Sequence, residues 1–343
     1  MDSLDSKEVY EGFASLHREA DMAEPIKVSV CIPVYKVEKC IERCARSLFE
    51  QTLTDGIEFI FVDDCSPDGS VDVLRRVLRV YPARGPQTRI ISLSANAGVA
   101  NARNVALDSA IGEYVIHCDS DDWVERDAYE RLYRIAREHD ADVVCCKGDK
   151  ELETHDVLGM IQEGECTGDE MIIRHMPSDV FNPPWNKLYR RSTLLAGGVR
   201  YSVDCFAGED MLFNVQAMRL CQRVVCVSDT LYHYCDNPGS LSYLRGAENA
   251  RGIVRRAKFI GQFLAESKFA EARDRIYRNA LLAAIKFGVL DSVGYRELRR
   301  ELSTSLCDDP RLGIVKRMLL RLSVLSYPLA CRLTRLLMGR LNK

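Results

Sequence analysis

The chain has 343 residues, of which 47% are apolar and 28% charged, the balance of an ordinary globular protein with room for about two domains. A net charge of −3 gives no reason to expect nucleic acid as a partner, and no run approaches the roughly 18–20 apolar residues of a membrane span. Met1–Glu24 is polar and acidic, without a signal peptide's apolar stretch.

Residues 1–26 read as a peripheral segment, with one helix over Glu8–Arg18 ended before Pro25. From Lys27 onward strands and helices alternate. Strands are predicted over Lys27–Ile32, Ile57–Val62, Arg89–Leu93, Glu113–His117 and Asp142–Cys146. Between them fall helices over Val37–Gln51, Ser70–Val80, Ala97–Ser109 and Arg126–His139. Alternation at this spacing predicts parallel strands joined by right-handed crossovers, an α/β layered sheet.

Beyond Lys150 the pattern loosens. Asn182-Pro183-Pro184 is a break, and Trp185–Leu195 has a helical pattern after it. Glu209–Leu220 reads as a helix, and Arg223–Val227 with Leu231–Tyr234 as two short strands. From about Ala247 only helical periodicity remains, with breaks near Ser267, Val293 and Asp308–Pro310. The fourteen cysteines stand in apolar or helical contexts without paired C-x-x-C spacing. They are expected as free buried thiols in a reducing cytoplasm, over zinc ligands or disulfides.

The chemistry concentrates where strands end. Tyr114–Ile116 runs into Cys118-Asp119-Ser120-Asp121-Asp122-Trp123, at the edge where open α/β sheets place ligands. Carboxylates so close repel one another unless a cation joins them, and Mg2+ typically takes one or two carboxylates and completes its shell with substrate phosphates. The cluster points to a divalent metal holding a diphosphate, with turn residues or helix caps as the plainer alternative. The second strand ends in Asp63-Asp64, two acids with no evident structural need, which fit ribose hydroxyls or a base N–H. Asp68-Gly69-Ser70 is better explained as a turn and helix cap. Gly98 permits a tight backbone, and Arg103 follows on the next helix, within approach of a diphosphate or base carbonyl. Neither the G-x-G-x-x-G fingerprint nor the G-x-x-x-x-G-K-[ST] phosphate loop is present.

Together, V-S-V-C-I-P-V-Y (Val28–Tyr35), F-V-D-D-C-S-P-D-G (Phe61–Gly69), Asn96–Asn104 and C-D-S-D-D-W (Cys118–Trp123) resemble, in order and spacing, the family 2 glycosyltransferases of the GT-A fold. These are inverting enzymes that use nucleotide-diphosphate sugars. The resemblance covers about Lys27–Tyr243. It implies a GT-A domain over residues 27–245, with a Rossmann-like, mostly parallel sheet flanked by helices, and a helical C-terminal region over 246–343.

By that likeness Pro33, Tyr35 and Asp64 line the nucleoside site, with Asp63 beside it and Arg103 near base or phosphate. Asp119, Ser120, Asp121 and Asp122 form the family's DxD region, with Asp119/Asp121 or Asp122 as ligands of Mg2+ or Mn2+. Gly208-Glu209-Asp210 matches the acceptor-side acidic motif. It implies Asp210 as the base that takes the acceptor's proton, and Glu209 as its neighbour orienting base or acceptor. Trp185, Asn186 and Lys187 are expected in the acceptor platform, where an indole can stack on a sugar, though a core tryptophan is the plainer alternative. Tyr232-His233-Tyr234 and Gly239–Ser242 resemble the strand and loop that close over the donor, with His233 within reach of metal or diphosphate, or simply a strand histidine with an ordinary hydrogen bond.

Residues 311–343 carry eight Lys or Arg and no acid, with leucines at helical spacing and Pro328 kinking or dividing the stretch. A basic amphipathic helix pair implies an anionic membrane surface, unless it packs on the catalytic domain with a basic outer face. The expected protein is cytoplasmic, peripheral on the inner face of the membrane. It moves a sugar from a nucleotide-diphosphate sugar, a UDP-sugar, to a glycan or lipid-linked acceptor. A sugar-phosphate nucleotidyltransferase would need a glycine- and arginine-rich phosphate loop, which Cys31–Tyr35 does not resemble. A non-catalytic nucleotide-binding scaffold is the remaining alternative, and donor hydrolysis separates the two.

Overall fold

The computed structural model describes residues 25–150, 163–176, 181–205, 208–235, 237, 246–303 and 312–341. The helix expected over Glu8–Arg18, the loop Gly239–Ser242 and the break at Asp308–Pro310 lie outside them.

β1 (Val28–Val34) and β2 (Ile57–Asp63) are buried at every position, as parallel strands covered on both faces are. They pair in parallel, Val28 opposite Ile57 and Val34 opposite Asp63. β3 (Thr88–Ser92) adds to β2, and β4 (Tyr114–His117) to the other side of β1, both in parallel. The sheet continues with β5 (Trp123–Val124), β6 (Val143–Lys150), β7 (Gly164–Cys166), β8 (Lys187–Arg190) and β9 (Val224–Tyr234). Its order is β3-β2-β1-β4-β8-β6-β9-β5, with β7 beside β9. β8 runs antiparallel to β4 and β6, so the sheet is parallel through β1–β4 and mixed beyond.

Alternating side chains of β1 feed two cores. Val28, Val30, Ile32 and Val34 meet Ile41 of α1 (Ile41–Phe49), Leu74 of α2 (Ser70–Val80) and Leu132 of α4 (Ala128–Glu138). Cys31 faces the opposite layer with Ala102 and Ala106 of α3 (Val99–Ser109), Met171 of α5 (Gly168–His175) and Phe213 of α7 (Glu209–Met218). A fully buried side chain of this size stabilises by roughly 1.5–3 kcal/mol, so the two layers hold the β1–β4 strand ends in fixed register.

Two expected elements differ. The helical pattern of Trp185–Leu195 is a strand, β8, followed by the short helix α6 (Arg191–Ala196). Lys187, Leu188 and Tyr189 are buried between β4 and β6, and that pairing overrides the local pattern. The two strands expected over Arg223–Tyr234 are one, β9. Its polar middle, Ser228-Asp229-Thr230, is less buried, and the register with β6 shifts there, since β9 runs from Cys226 to Thr230 while β6 runs only from Cys145 to Lys147.

The C-terminal region is helical throughout its described residues, with α8 (Ala247–Phe263), α9 (Ala270–Phe287), α10 (Ser292–Arg300), α11 (Ile314–Leu325) and α12 (Tyr327–Leu341). The expected breaks fall at a 3-10 turn over Ser267–Phe269 and at Gly288 and Asp291, which end α9 and cap α10. Pro328 divides the tail, standing in the first turn of α12, where a proline costs no helix hydrogen bond. Ala280, Ile285, Leu320 and Ala330 belong to the same core as α3 and α7. The described cysteines are free, and most are buried.

Candidate active site

Parallel register brings the ends of β1, β2, β3 and β4 to one edge: Val34 opposes Asp63, Asp63 opposes Ser92, and Cys31 opposes His117. Tyr35 emerges there with 40% of its surface exposed. Pro33 lies one step back, buried within β1 opposite Val62.

The two acids after β2 have structural partners, contrary to the expectation that they had no such need. Asp63 Oδ1 accepts from the Ser66 N–H at 2.8 Å. Asp64, only 2% exposed, accepts from the N–H groups of Ala97 and Gly98 at 2.7 and 2.8 Å. Gly98 needs its freedom, since its φ of 88° lies in the left-handed region. Asp64 therefore ties the loop that starts α3 to the end of β2. Asp68 accepts from the N–H and hydroxyl of Ser70, the turn expected for that segment.

The acidic cluster after β4 splits by direction. Asp122 is fully buried, accepting from the Tyr232 hydroxyl at 2.6 Å and the Cys235 N–H at 2.8 Å. With a hydrogen bond to each oxygen inside the fold, it anchors the acidic loop. Ser120 is also buried. Asp119 and Asp121 reach the cleft. Asp119 keeps 24% of its side chain exposed and accepts from Arg103 at 2.8 Å, and Asp121 accepts from Asn237 Nδ2 at 2.9 Å. Burial first, then the Asp119 charge, raises the Asp121 carboxyl above its ordinary range. Two oxygen donors in an excess of negative charge suit Mg2+ or Mn2+, as the donor set these hard cations take alongside substrate phosphates. No group of three or more His, Cys, Asp or Glu side chains among the described residues is placed to hold a metal ion.

Arg103 connects this cluster to Glu209 and Asp210. From α3 its guanidinium, 4% exposed, ion-pairs with Asp119 and Asp210 and lies 3.6 Å from Glu209. The ring of Tyr201 sits 5.4 Å from the guanidinium carbon. The arginine expected at base or phosphate is thus committed to three carboxylates. Asp210 stands in the first turn of α7, with Glu209 beside it. Burial pushes the Asp210 carboxyl up to about 8, Glu209 and Asp119 add to the rise, and Arg103 opposes it. Its side chain still keeps 31% of its surface open to the cleft. Gly208 precedes it at a φ of 155°, where a Cβ would fall 2.1 Å from Arg256 Cδ.

Four residues expected at the acceptor or metal have other positions. Trp185 is 5% exposed and stacks on Tyr232 with ring centroids 4.0 Å apart, so its indole backs the Asp122 anchor and presents no open face to a sugar. Asn186 and Lys187 are buried. The Lys187 ammonium donates to Pro183 O and Asn186 Oδ1, each at 2.7 Å, and burial lowers its pKa to about 8. His233 stacks on Trp123 at 3.7 Å, with Nδ1 2.7 Å from Asp149 and Nε2 3.0 Å from Glu125, so both ring nitrogens have carboxylate partners.

Tyr232, Asn237 and Tyr201 were not evident from the sequence. Tyr232 accepts from the Asp119 N–H at 3.0 Å while donating to Asp122, bracing both ends of the acidic loop from a strand 110 positions away. The Tyr-His-Tyr motif marked its segment, but alternation could not say which ring turns inward.

The parallel sheet edge thus carries two groups of carboxylates bridged by Arg103. Residues 29–196 match the model of Glycosyl transferase family 2, and the chain belongs to that family. It is 34% identical over 221 residues to the uncharacterized glycosyltransferase EpsJ of Bacillus subtilis, covering 63% of this chain and 62% of the relative. The S. aureus poly(ribitol-phosphate) beta-N-acetylglucosaminyltransferase TarS is 27% identical over 213 residues, 61% of this chain and 35% of its own length. The chain thus spans less than two thirds of these relatives. The crystal structure of TarS 1–349 in complex with UDP-GlcNAc superposes with a TM-score of 0.59 at 21% identity, covering 80% of this chain and 88% of that one. The mannosyltransferase PcManGT of Pyrobaculum calidifontis, solved with GDP-Man and Mn2+, superposes with a TM-score of 0.52 at 16% identity, covering 96% and 94%. Both establish the fold as GT-A-like.

Proposed function

We propose that the protein is an inverting, metal-dependent glycosyltransferase. It transfers a hexosyl or N-acetylhexosaminyl group from a UDP-sugar to a glycan or lipid-linked saccharide, peripherally at an anionic membrane surface, as in surface polysaccharide synthesis. One observation carries this reading: Arg103 holds a donor-side carboxylate, Asp119, and an acceptor-side carboxylate, Asp210, across one cleft. One relative, TarS, is a beta-N-acetylglucosaminyltransferase crystallised with UDP-GlcNAc.

In the proposed reaction the acceptor hydroxyl attacks the anomeric carbon as the bond to the diphosphate breaks on the opposite face. Asp210 takes the hydroxyl proton. A carboxyl raised to about 8 has the basicity this step needs near neutral pH, since a base is most effective when its pKa lies close to the working pH. Glu209 orients the acceptor beside it, and Arg103 keeps Asp210 aimed into the cleft. Asp119 and Asp121 would hold a divalent cation, which when bound neutralises charge on the leaving diphosphate. Asp122, Tyr232 and Trp185 keep the acidic loop in place. Tyr35 offers an exposed ring at the nucleoside end.

The test is UDP release measured across a panel of UDP- and GDP-sugars, with and without Mn2+. Release from a UDP-sugar that needs Mn2+ and collapses in Asp210→Asn supports the reading. Release indifferent to both metal and Asp210, or none from any donor despite UDP binding, overturns it.

A further inference from the structure

The last two helices carry an outward surface that the rest of the described fold leaves uncovered. α11 turns Leu320 and Ser323 inward, and α12 turns Tyr327, Ala330, Cys331 and Thr334 inward. The hairpin is pinned there: the Tyr327 ring stacks on Tyr295 at 4.4 Å, and its hydroxyl donates to Ala284 O at 2.9 Å. The opposite faces are apolar where a solvated helix would be polar. Of the seventeen large apolar side chains exposed among the described residues, eight fall within residues 314–336. They include Ile314 at 76%, Met318 at 64%, Leu325 at 85%, Leu329 at 51% and Leu336 at 68%. Scattered exposed apolar residues need no explanation, but a concentration of this kind marks an interaction surface.

Charge decides what covers it. Residues 311–343 hold eight basic residues and no acid in a chain whose net charge is −3, so positive charge is segregated to this stretch. Lys316, Arg321, Arg332 and Arg335 are exposed on the same two helices, interleaved with the apolar side chains. No helix among the described residues is long and apolar enough to cross a membrane. Apolar side chains flanked by cations of one sign, on helices too short to span, match the interfacial helix that lies in the headgroup plane.

We propose that the outward faces of α11 and α12 form a docking surface for an anionic lipid bilayer. Ile314, Met318, Leu325 and Leu329 enter the acyl boundary, while Lys316, Arg321 and Arg332 meet lipid phosphates. The proposal gives residues to the peripheral placement put forward above and rests on it, but is independent of the transfer chemistry.

Flotation of the full chain with phosphatidylglycerol-containing vesicles, and with pure phosphatidylcholine vesicles, tests it. Binding should occur on the anionic vesicles and weaken as salt rises. Arg321→Gln with Arg332→Gln should lower partitioning roughly fivefold per charge removed. Leu325→Gln with Leu329→Gln should lower it further at every salt concentration. All four positions are exposed, so thermal melting should match the parent and serve as the folding control. Binding retained in both double variants overturns the assignment to this face while leaving peripheral attachment standing. No binding to either vesicle at low salt overturns both. A chain that dimerises, with the leucine pair abolishing the dimer but not vesicle binding, gives the face to a second copy and overturns the lipid assignment.

Discussion

Arg103 and Asp210, 107 positions apart in the chain, form an ion pair over the cleft while the other arm of the same guanidinium holds Asp119. Arg103 is nearly fully buried, and Asp210 is largely buried but keeps 31% of its side chain exposed, so the arginine is the more fixed of the two. A base that must sit within hydrogen-bond reach of an acceptor hydroxyl gains most from such a fixed partner, because misplacement by an ångström is costly in rate. Arg103→Lys keeps a charge but loses the fork that spans two carboxylates. We expect kcat to fall about 10–100-fold, with the KM for the donor changed much less. A loss confined to donor KM would return Arg103 to the nucleotide.

The same pair predicts the pH dependence. Asp210 must be ionised to accept a proton, and burial raises its pKa to about 8. The value of kcat/KM should therefore rise with pH and level off above about 8, reporting the free enzyme. Arg103 pulls the Asp210 pKa down, so Arg103→Gln should move the rising limb to higher pH. A limb that moves to lower pH, or one centred near 4, removes Asp210 as the titrating base.

Metal dependence should follow the division within the acidic loop. Asp121→Ala removes a donor that faces the cleft and should abolish the gain in UDP affinity that Mn2+ provides, measured by calorimetry, without lowering thermal stability. Asp122→Ala removes two buried hydrogen bonds made by a fully buried carboxylate and should cost about 2–4 kcal/mol of stability. A stable Asp122→Ala protein that has lost only its metal response would reverse the two roles.

The parallel half of the fold was legible because β1 and β2 are apolar at nearly every position and the helices between them are strongly amphipathic. The acids after β2 and β4 stood out because strand ends mark the ligand edge of such a sheet, whereas the Glu209-Asp210 pair opening α7 was singled out only by its resemblance to the family's acceptor-side motif. What stayed hidden is direction. Asp119, Asp121 and Asp122 are neighbours in a turn, and Tyr232 and the Cys235 N–H, reaching in from 110 and 113 positions further along the chain, select the one that faces inward. Arg103 looked like a phosphate ligand because its carboxylate partners are 16 and 107 residues away. Trp185 and Lys187 were expected in an acceptor platform, with a core tryptophan as the alternative, and the sequence could not decide because the pairing of β8 between β4 and β6 that buries their segment is entirely non-local.

Asp64 offers the clearest separation of a structural from a binding role. Its two oxygens accept from Ala97 and Gly98, and almost none of its surface is exposed. Removing it leaves two partly buried N–H groups without their charged acceptor at the turn that launches α3, the helix that carries Arg103. Hydrogen bonds to charged groups contribute about 1.5–3 kcal/mol each, and one lost partner leaves the other unsatisfied. Asp64→Ala should therefore lower unfolding stability by about 2–4 kcal/mol in urea denaturation. Asp64→Asn retains one acceptor oxygen, so its loss should be about half as large. Because α3 would be displaced, transfer should fall with stability in both variants, and kcat should suffer alongside the KM for the donor. If instead both variants keep full stability and only UDP affinity drops, Asp64 touches the nucleoside and the loop is held by other contacts. If stability falls in both to the same extent, the second oxygen and its charge, which Asn lacks, are what hold the loop.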